Sequence, residues 1–292
     1  MFKNVLVGVD GSPNGRDAIS LASLLAGPEG RLTLAHVRPG KHHPLHAITP
    51  GLSAEEGAAS EQLLERELAL AQVSADLISI ASMSPGRGLH QHAENLNADL
   101  LVVGSCNHGV FGRVVLGDDT RAALNGAPCA VAVAARGYSK YPVPIASIGV
   151  GYNGSRESEA ALELARTLAT PTRATVEALE VVSMPSYGLV DAGGEYLNLA
   201  LTEAGSRMKE LSGVDGRAVY GAAGEQLAAL SETVDLLVVG SRSYGAVRRL
   251  VLGSTCDYLE RHARCSLLVL PRLAIAGTGD GGPNAETASI AA

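Results

Sequence analysis

The stretch DLLVVGS runs from Asp99 to Ser105, and the same seven letters return from Asp235 to Ser241, an offset of 136 residues. Working outward, that offset also pairs Gly109 with Gly245, Arg113 with Arg249, and Val115-Leu116-Gly117 with Val251-Leu252-Gly253. It pairs Cys129 with Cys265, each opening an apolar run, CAVAVA in the first half and CSLLVL in the second. Near each start, LVGVDGS ending at Ser12 answers IGVGYNGS ending at Ser155, at an offset of 143. The seven-residue difference falls in Arg38 to Gly57, a polar segment rich in Pro and His that reads as a loop. A match this extended, in this order, marks a duplication.

Each copy alternates strands with helices. In the first, Asn4 to Val9 is an almost unbroken apolar run, as expected of a strand covered on both faces. Ser12 and Pro13 then start a helix: a hydroxyl cap, followed by a residue that needs no backbone donor. Ile19, Ala22, Leu25 and Ala26 give that helix one apolar face. Further strands are expected at Leu32 to Val37, Asp76 to Ala81, Leu100 to Gly104 and Cys129 to Ala134. Helices are expected over Ala58 to Gln72, Leu89 to Asn97 and Asp119 to Asn125. The fold class that follows is α/β, two tandem copies of a doubly wound, five-stranded parallel sheet sandwich of Rossmann-like type. Residues 1–138 and 145–273 form the two domains, joined by a Pro-containing linker at 139–144 that begins in RGYSKYPVP. Residues 274–292 lack periodicity and read as a disordered tail.

The composition fits two domains: 292 residues, 46% hydrophobic and 18% charged. A net charge of −7 argues against a nucleic-acid phosphate backbone as the main partner, and 3% aromatic residues with no Trp leave few stacking platforms. Cys106, Cys129, Cys256 and Cys265 show no CxxC spacing and read as reduced thiols. No run approaches a membrane span and the start lacks a secretory pattern, so a soluble, cytoplasmic protein is expected.

Parallel sheets bind ligands at the carboxyl ends of their strands. There the first strands end in Val9-Asp10-Gly11-Ser12 and Tyr152-Asn153-Gly154-Ser155. The fourth strands end in Gly104-Ser105-Cys106-Asn107 and Gly240-Ser241-Arg242-Ser243, followed by Gly117-Asp118 and Gly253-Ser254 at the next helix starts. A glycine lets a phosphate approach the backbone, and helix-start amides donate to it. The side-chain acceptor after the first strand suits a ribose hydroxyl or a phosphate-bound metal.

These elements together resemble the universal stress protein family, whose first strand ends in Asp-Gly-Ser. Its ATP-binding branch carries a loop of form G-x2-G-x9-G-[S/T]. Here that loop is Gly240, Ser243, Gly253 and Ser254, with Thr255 beside it, and in the first copy Gly104, Asn107, Gly117 and Asp118. The resemblance spans roughly Met1 to Leu273 and implies an adenine-nucleotide α-hydrolase-like fold that binds ATP, with Mg2+. In the family the adenine is held by backbone after the second strand, which maps onto Val37 and Val181. It further implies intrachain pairing of the two copies, a homodimer, and an unidentified regulatory protein partner.

Both copies depart from the pattern. Asn107 and Ser243 replace the second loop glycine, adding a Cβ where positive φ is wanted. Asp118 puts a carboxylate where phosphate would sit, and Asn153 replaces the aspartate after the first strand. The rival reading is therefore a nucleotide-free interaction module that acts through its surface and dimer interface. Arg113, Arg248 and Arg249 either neutralise phosphates or are solvated. His36, His42, His43 and His46 read as surface, and His90 and His92 cannot share a helix face. No GxxxxGK[ST], GxSxG, HExxH or strand-following GxGxxG is present, so no catalytic role is expected.

Overall fold

The computed structural model describes residues 1–39, 52–106, 112–114, 117–142, 144–183, 193–241, 250 and 253–271. In the first copy the strands are β1 (Phe2–Gly8), β2 (Ala26–Pro39), β3 (Asp76–Ser82), β4 (Leu100–Gly104) and β5 (Ala130–Ala134). Its helices are α1 (Pro13–Leu25), α2 (Leu52–Ala71), α3 (Pro85–Asn95) and α4 (Asp118–Leu124). A short 3-10 turn, Tyr138–Lys140, leads to the second copy. There the strands are β6 (Ser147–Tyr152), β7 (Thr175–Val182), β8 (Asp215–Tyr220), β9 (Leu236–Gly240) and β10 (Ser266–Leu270). The helices are α5 (Arg156–Thr172), α6 (Gly193–Glu210), α7 (Ala223–Leu230) and α8 (Ser254–His262).

All ten strands form one sheet, ordered β3-β2-β1-β4-β5-β10-β9-β6-β7-β8. Within each copy the neighbours are parallel, and the order reverses between β1 and β4 and between β6 and β9. The copies meet where β5 and β10 pair antiparallel, Leu267 opposite Val133, Leu268 opposite Ala132 and Val269 opposite Val131. The last strands thus cover each other's edges, the intrachain pairing that the family resemblance implied.

The unbroken apolar strands have the reason anticipated from sequence. Val5 and Val7 pack into the core layer containing Ile19, Leu21 and Leu25 of α1, whereas Leu6 packs into the opposite layer with Leu89 and Leu124. Successive side chains point to opposite faces, so both faces must be apolar to be covered. Each layer continues through both copies, with Leu168 and Leu236 in the first and Leu227 and Leu267 in the second.

Several boundaries differ from the sequence reading. β2 extends back to Ala26 and on to Pro39, and α2 begins at Leu52, so both ends of the expected loop Arg38 to Gly57 belong to regular elements. α3 begins at Pro85 rather than Leu89 because Ser84 caps it, accepting from the Arg87 amide at 3.4 Å. That Ser-Pro start repeats the Ser12-Pro13 signal of α1, where Ser12 accepts from Asn14 at 3.2 Å. The connection between the copies is docked. Asp17 of α1, 1% exposed, accepts from the amides of Gly137 (2.6 Å) and Ser139 (2.7 Å) and from the Ser139 hydroxyl (2.5 Å). The tail at 274–292 lies outside the described residues.

Candidate functional site

Two clefts open at the carboxyl ends of the strands, one per copy, at the points where strand order reverses. The first has a volume of about 520 Å³ and the second about 320 Å³, both within the range of small-molecule sites.

The same local chemistry builds both floors. Asp10 accepts from the Ser12 amide at 3.0 Å, and Asn153 accepts from the Ser155 amide at 3.1 Å, so each side chain closes the turn from strand to helix. Between them Gly11 and Gly154 take φ of 75° and 72°, left-handed conformations that favour glycine. An amide oxygen makes this bond as well as a carboxylate does, which is why Asn153 leaves the turn intact. One oxygen of Asp10 is thereby engaged in the turn rather than reserved for a ligand.

The glycines that end β4 and β9 have a packing reason. A Cβ on Gly104 would lie 2.6 Å from the carbonyl carbon of Asn14, and one on Gly240 would lie 2.8 Å from Glu157 Cβ. Each strand end presses against the first turn of the helix that follows the first strand of its copy, so these glycines serve the fold before any phosphate. Gly117 differs: its φ is −81°, and among the described residues an added Cβ would meet only Cys106, at 3.3 Å.

Of the residues singled out from sequence, Val9, Asp10, Val37, Gly104, Gly117 and Asp118 line the first cleft. Asn153, Val181, Gly240, Gly253 and Thr255 line the second, with Ser254 as the first residue of α8 between the last two. Asn107 and Ser243 lie outside the described residues, as do His42, His43, His46, Arg248 and Arg249. Sequence reasoning missed Asn14, His36, Asp119 and Thr120 in the first cleft and Glu157 and Ser158 in the second, while Ser155 and Ser241 of the second stand on strand ends already singled out. The signal available was position: Ser158 stands one turn into the helix that follows the first strand.

His36, within the expected strand Leu32 to Val37 and expected at the surface, stands beside Val37 in β2 and lines the first cleft. Its Nδ1 pairs with Ser60 Oγ at 2.8 Å, and burial holds its pKa below the usual value, against the pull of Asp10 and with the help of Arg38. The corresponding position in the second copy is Glu180, 6% exposed and paired with Arg207 at 2.6 Å. His90 is buried and bonds through Nε2 to the Ala123 carbonyl at 2.7 Å, tying α3 to α4. His92 bonds within its own helix, to the Gly88 carbonyl.

The clefts differ in charge. The first is bordered by Asp10, Asp118 and Asp119, the last two opening a seven-residue helix. The second has Ser254 and Thr255 at the equivalent start of α8, which runs for nine residues after its cap Gly253. Three serines add hydroxyls to its lining: Ser155, Ser158 and Ser241. Ser241 Oγ is buried, in a residue 4% exposed, and has no hydrogen-bond partner among the described residues. In sequence, the stretch from 242 to 253 carries Arg242, Arg248 and Arg249, whereas 106 to 117 carries Arg113 as its one arginine. Among the described residues no group of three or more His, Cys, Asp or Glu is placed to hold a metal ion. Nor is any helix among them long and apolar enough to cross a membrane.

With this geometry in view, the pattern that defines the universal stress protein family matches residues 1–135 and again 145–271. A universal stress protein of Mycobacterium tuberculosis (strain H37Rv) is 28% identical over 206 residues, covering 65% of this chain and 70% of that protein. Among solved structures, a universal stress protein from Archaeoglobus fulgidus superposes with a TM-score of 0.64 at 16% identity, covering 91% of this chain and 97% of that one. A universal stress protein solved in complex with cAMP is 22% identical, covers 35% of this chain and 76% of that one, and has a TM-score of 0.30.

Proposed function

This chain belongs to the universal stress protein family, and from that premise we propose that its second cleft binds an adenine nucleotide through its phosphates, so that the chain acts as a nucleotide-responsive regulatory protein. The observation that carries the reading is the convergence at the second cleft of the α8 start with the buried Ser241 hydroxyl, which lacks a protein partner among the described residues. A buried polar group of that kind is costly unless something bonds to it. First-turn amides of a helix capped by Gly253, with Ser254 and Thr255, offer donors to an anion on the same side.

ATP is the nucleotide that the family implies. The residues present fit it: Leu179, Val181, Leu227 and Val239 form an apolar wall for a base, and the hydroxyls face the phosphate end. Mg2+ would be held mainly by the phosphates, as is usual for this ion, with Asn153 and Glu157 offering side-chain oxygens from the cleft lining. The first cleft fits a triphosphate poorly, because Asp118 and Asp119 place two carboxylates where the phosphates would lie. No role in turnover is assigned to any residue, and action of the bound protein through a homodimer and a regulatory protein partner in the cytoplasm belongs to the same proposal.

Mass spectrometry of nucleotide released from freshly purified, heat-denatured protein, together with calorimetric titration of ATP in the presence of Mg2+, tests the reading. One adenine nucleotide per chain is expected. Neither released nucleotide nor ATP heat would leave an interaction module working through its surface.

A further inference from the structure

The segments that border the two clefts are anchored in each other's copies. In the first copy Val114 donates its amide to the carbonyl of Ala263, the C-cap of α8, at 3.0 Å. In the second, Leu250 donates to the carbonyl of Ala127 at 3.0 Å and accepts from the Gly126 amide at 2.9 Å. The repeat offset of 136 pairs Val114 with Leu250 and Ala127 with Ala263, so the exchange is two-fold. Val114 and Leu250 are both 0% exposed, which makes these anchors buried and hard to exchange for water. A further tie joins the two cleft helices directly: Arg121 of α4 pairs with Glu260 of α8, whose side chain is 1% exposed. That pair has no copy across the repeat, because Leu124 and Asp257 stand at the matching positions.

The consequence follows from how close each anchor stands to a cleft. Leu250 precedes Gly253 by three residues, and Gly253 borders the second cleft. A phosphate that draws the Gly253 backbone toward itself pulls, three residues along the chain, on Leu250, whose bonds to Gly126 and Ala127 resist the displacement. Those two residues follow α4, whose Asp118, Asp119, Thr120 and Ala123 line the first cleft. Resting on the reading of the second cleft as a nucleotide site, we infer that the two clefts are energetically coupled through these exchanged anchors. Ligand at one cleft alters the affinity and the backbone opening of the other, and by thermodynamic linkage the effect is reciprocal. Packed elements shift between discrete arrangements rather than deforming continuously, which is what allows a small displacement at one cleft to reach the other.

The test uses the full chain. Calorimetric titration with MgATP compares the parent with Arg121→Gln and Glu260→Gln, which cut the cross-copy tie at residues that line neither cleft. At least a fivefold change in ATP affinity is expected, the lower end of measured couplings between sites. In parallel, amide hydrogen exchange of the parent, at an ATP concentration filling only the tighter site, should slow in peptides spanning 112–127 of the first copy. This second measurement stands if either variant fails to fold. ATP affinity within twofold of the parent, with protection confined to the second copy, overturns the coupling while leaving the nucleotide site in place. No ATP uptake by the parent overturns the nucleotide reading and the coupling with it.

Discussion

Gly104→Ala separates what the strand-end glycine does for the fold from what it does for a ligand. The new Cβ would stand 2.6 Å from the Asn14 carbonyl carbon and 2.8 Å from Asn14 Cβ, closer still to the carbonyl oxygen. Nonbonded carbon atoms rest at about 3.5 Å or more, so β4 and the first turn of α1 must separate by roughly 1 Å. Overpacking of that kind costs about 1–3 kcal/mol. Gly104 is not among the positive-φ residues, so alanine itself is tolerated there and returns about 0.5–1 kcal/mol through the less flexible unfolded chain. A net loss of about 1–2 kcal/mol follows. Gly117→Ala is the matched control: its φ of −81° suits alanine, and its one close neighbour among the described residues, Cys106 Cβ, is 3.3 Å away. It should lie within about 0.5 kcal/mol of the parent. Denaturant unfolding followed by far-UV circular dichroism reads both, since the chain has no Trp to report by fluorescence. Because Asn14 and Gly15 line the first cleft, the same displacement should also alter any ligand binding there. Equal midpoints for the two variants would show that Gly104 is not packed against α1 in this way and would refute the reasoning.

Ser254→Ala should weaken ATP binding by about 1–2 kcal/mol, the scale of a lost bond to a charged oxygen, whereas Asp118→Ser should tighten any binding at the first cleft by a comparable amount; calorimetry reads both. Asp17→Ala removes the acceptor of three bonds from Gly137 and Ser139 and should cost about 2–3 kcal/mol; limited proteolysis should then cut between Ala135 and Ile145, and resistance equal to the parent would count against the clamp. Burial lowers the pKa of His36 below its ordinary 6.5, so the unfolded chain binds the proton more readily than the folded one. Its stability contribution is present above pH 6.5 and is lost as the pH falls through and below that value; His36→Asn should flatten this part of a stability–pH curve. Of the four thiols only Cys106 is partly exposed, and burial lifts Cys129 to about 12, so a native titration with a thiol reagent should report one fast group and four after unfolding.

Much of this protein is written in its linear order. The exact return of DLLVVGS announced the duplication, and the apolar runs at β1, β4 and their repeats showed sheets covered on both faces, because adjacent strand residues point to opposite layers. Strand ends bearing Asp10 and Asn153 could be placed at a ligand edge for the same local reason, since a turn from strand to helix is a matter of a few neighbouring residues. Boundaries were less legible: the start of α3 at Ser84-Pro85 was passed over because its apolar face begins only at Leu89. Tertiary structure alone decided what depends on residues far apart in the chain. It turned Gly104 and Gly240 into packing residues by bringing Asn14 and Glu157 against them, and set His36 against a cleft rather than on the plain surface. It also docked the linker on Asp17 and crossed Val114 and Leu250 into each other's copies. Periodicity records which face of an element is buried, but which distant atom a backbone amide or carboxylate meets is settled only when the layers close, because those bonds carry no pattern along the chain.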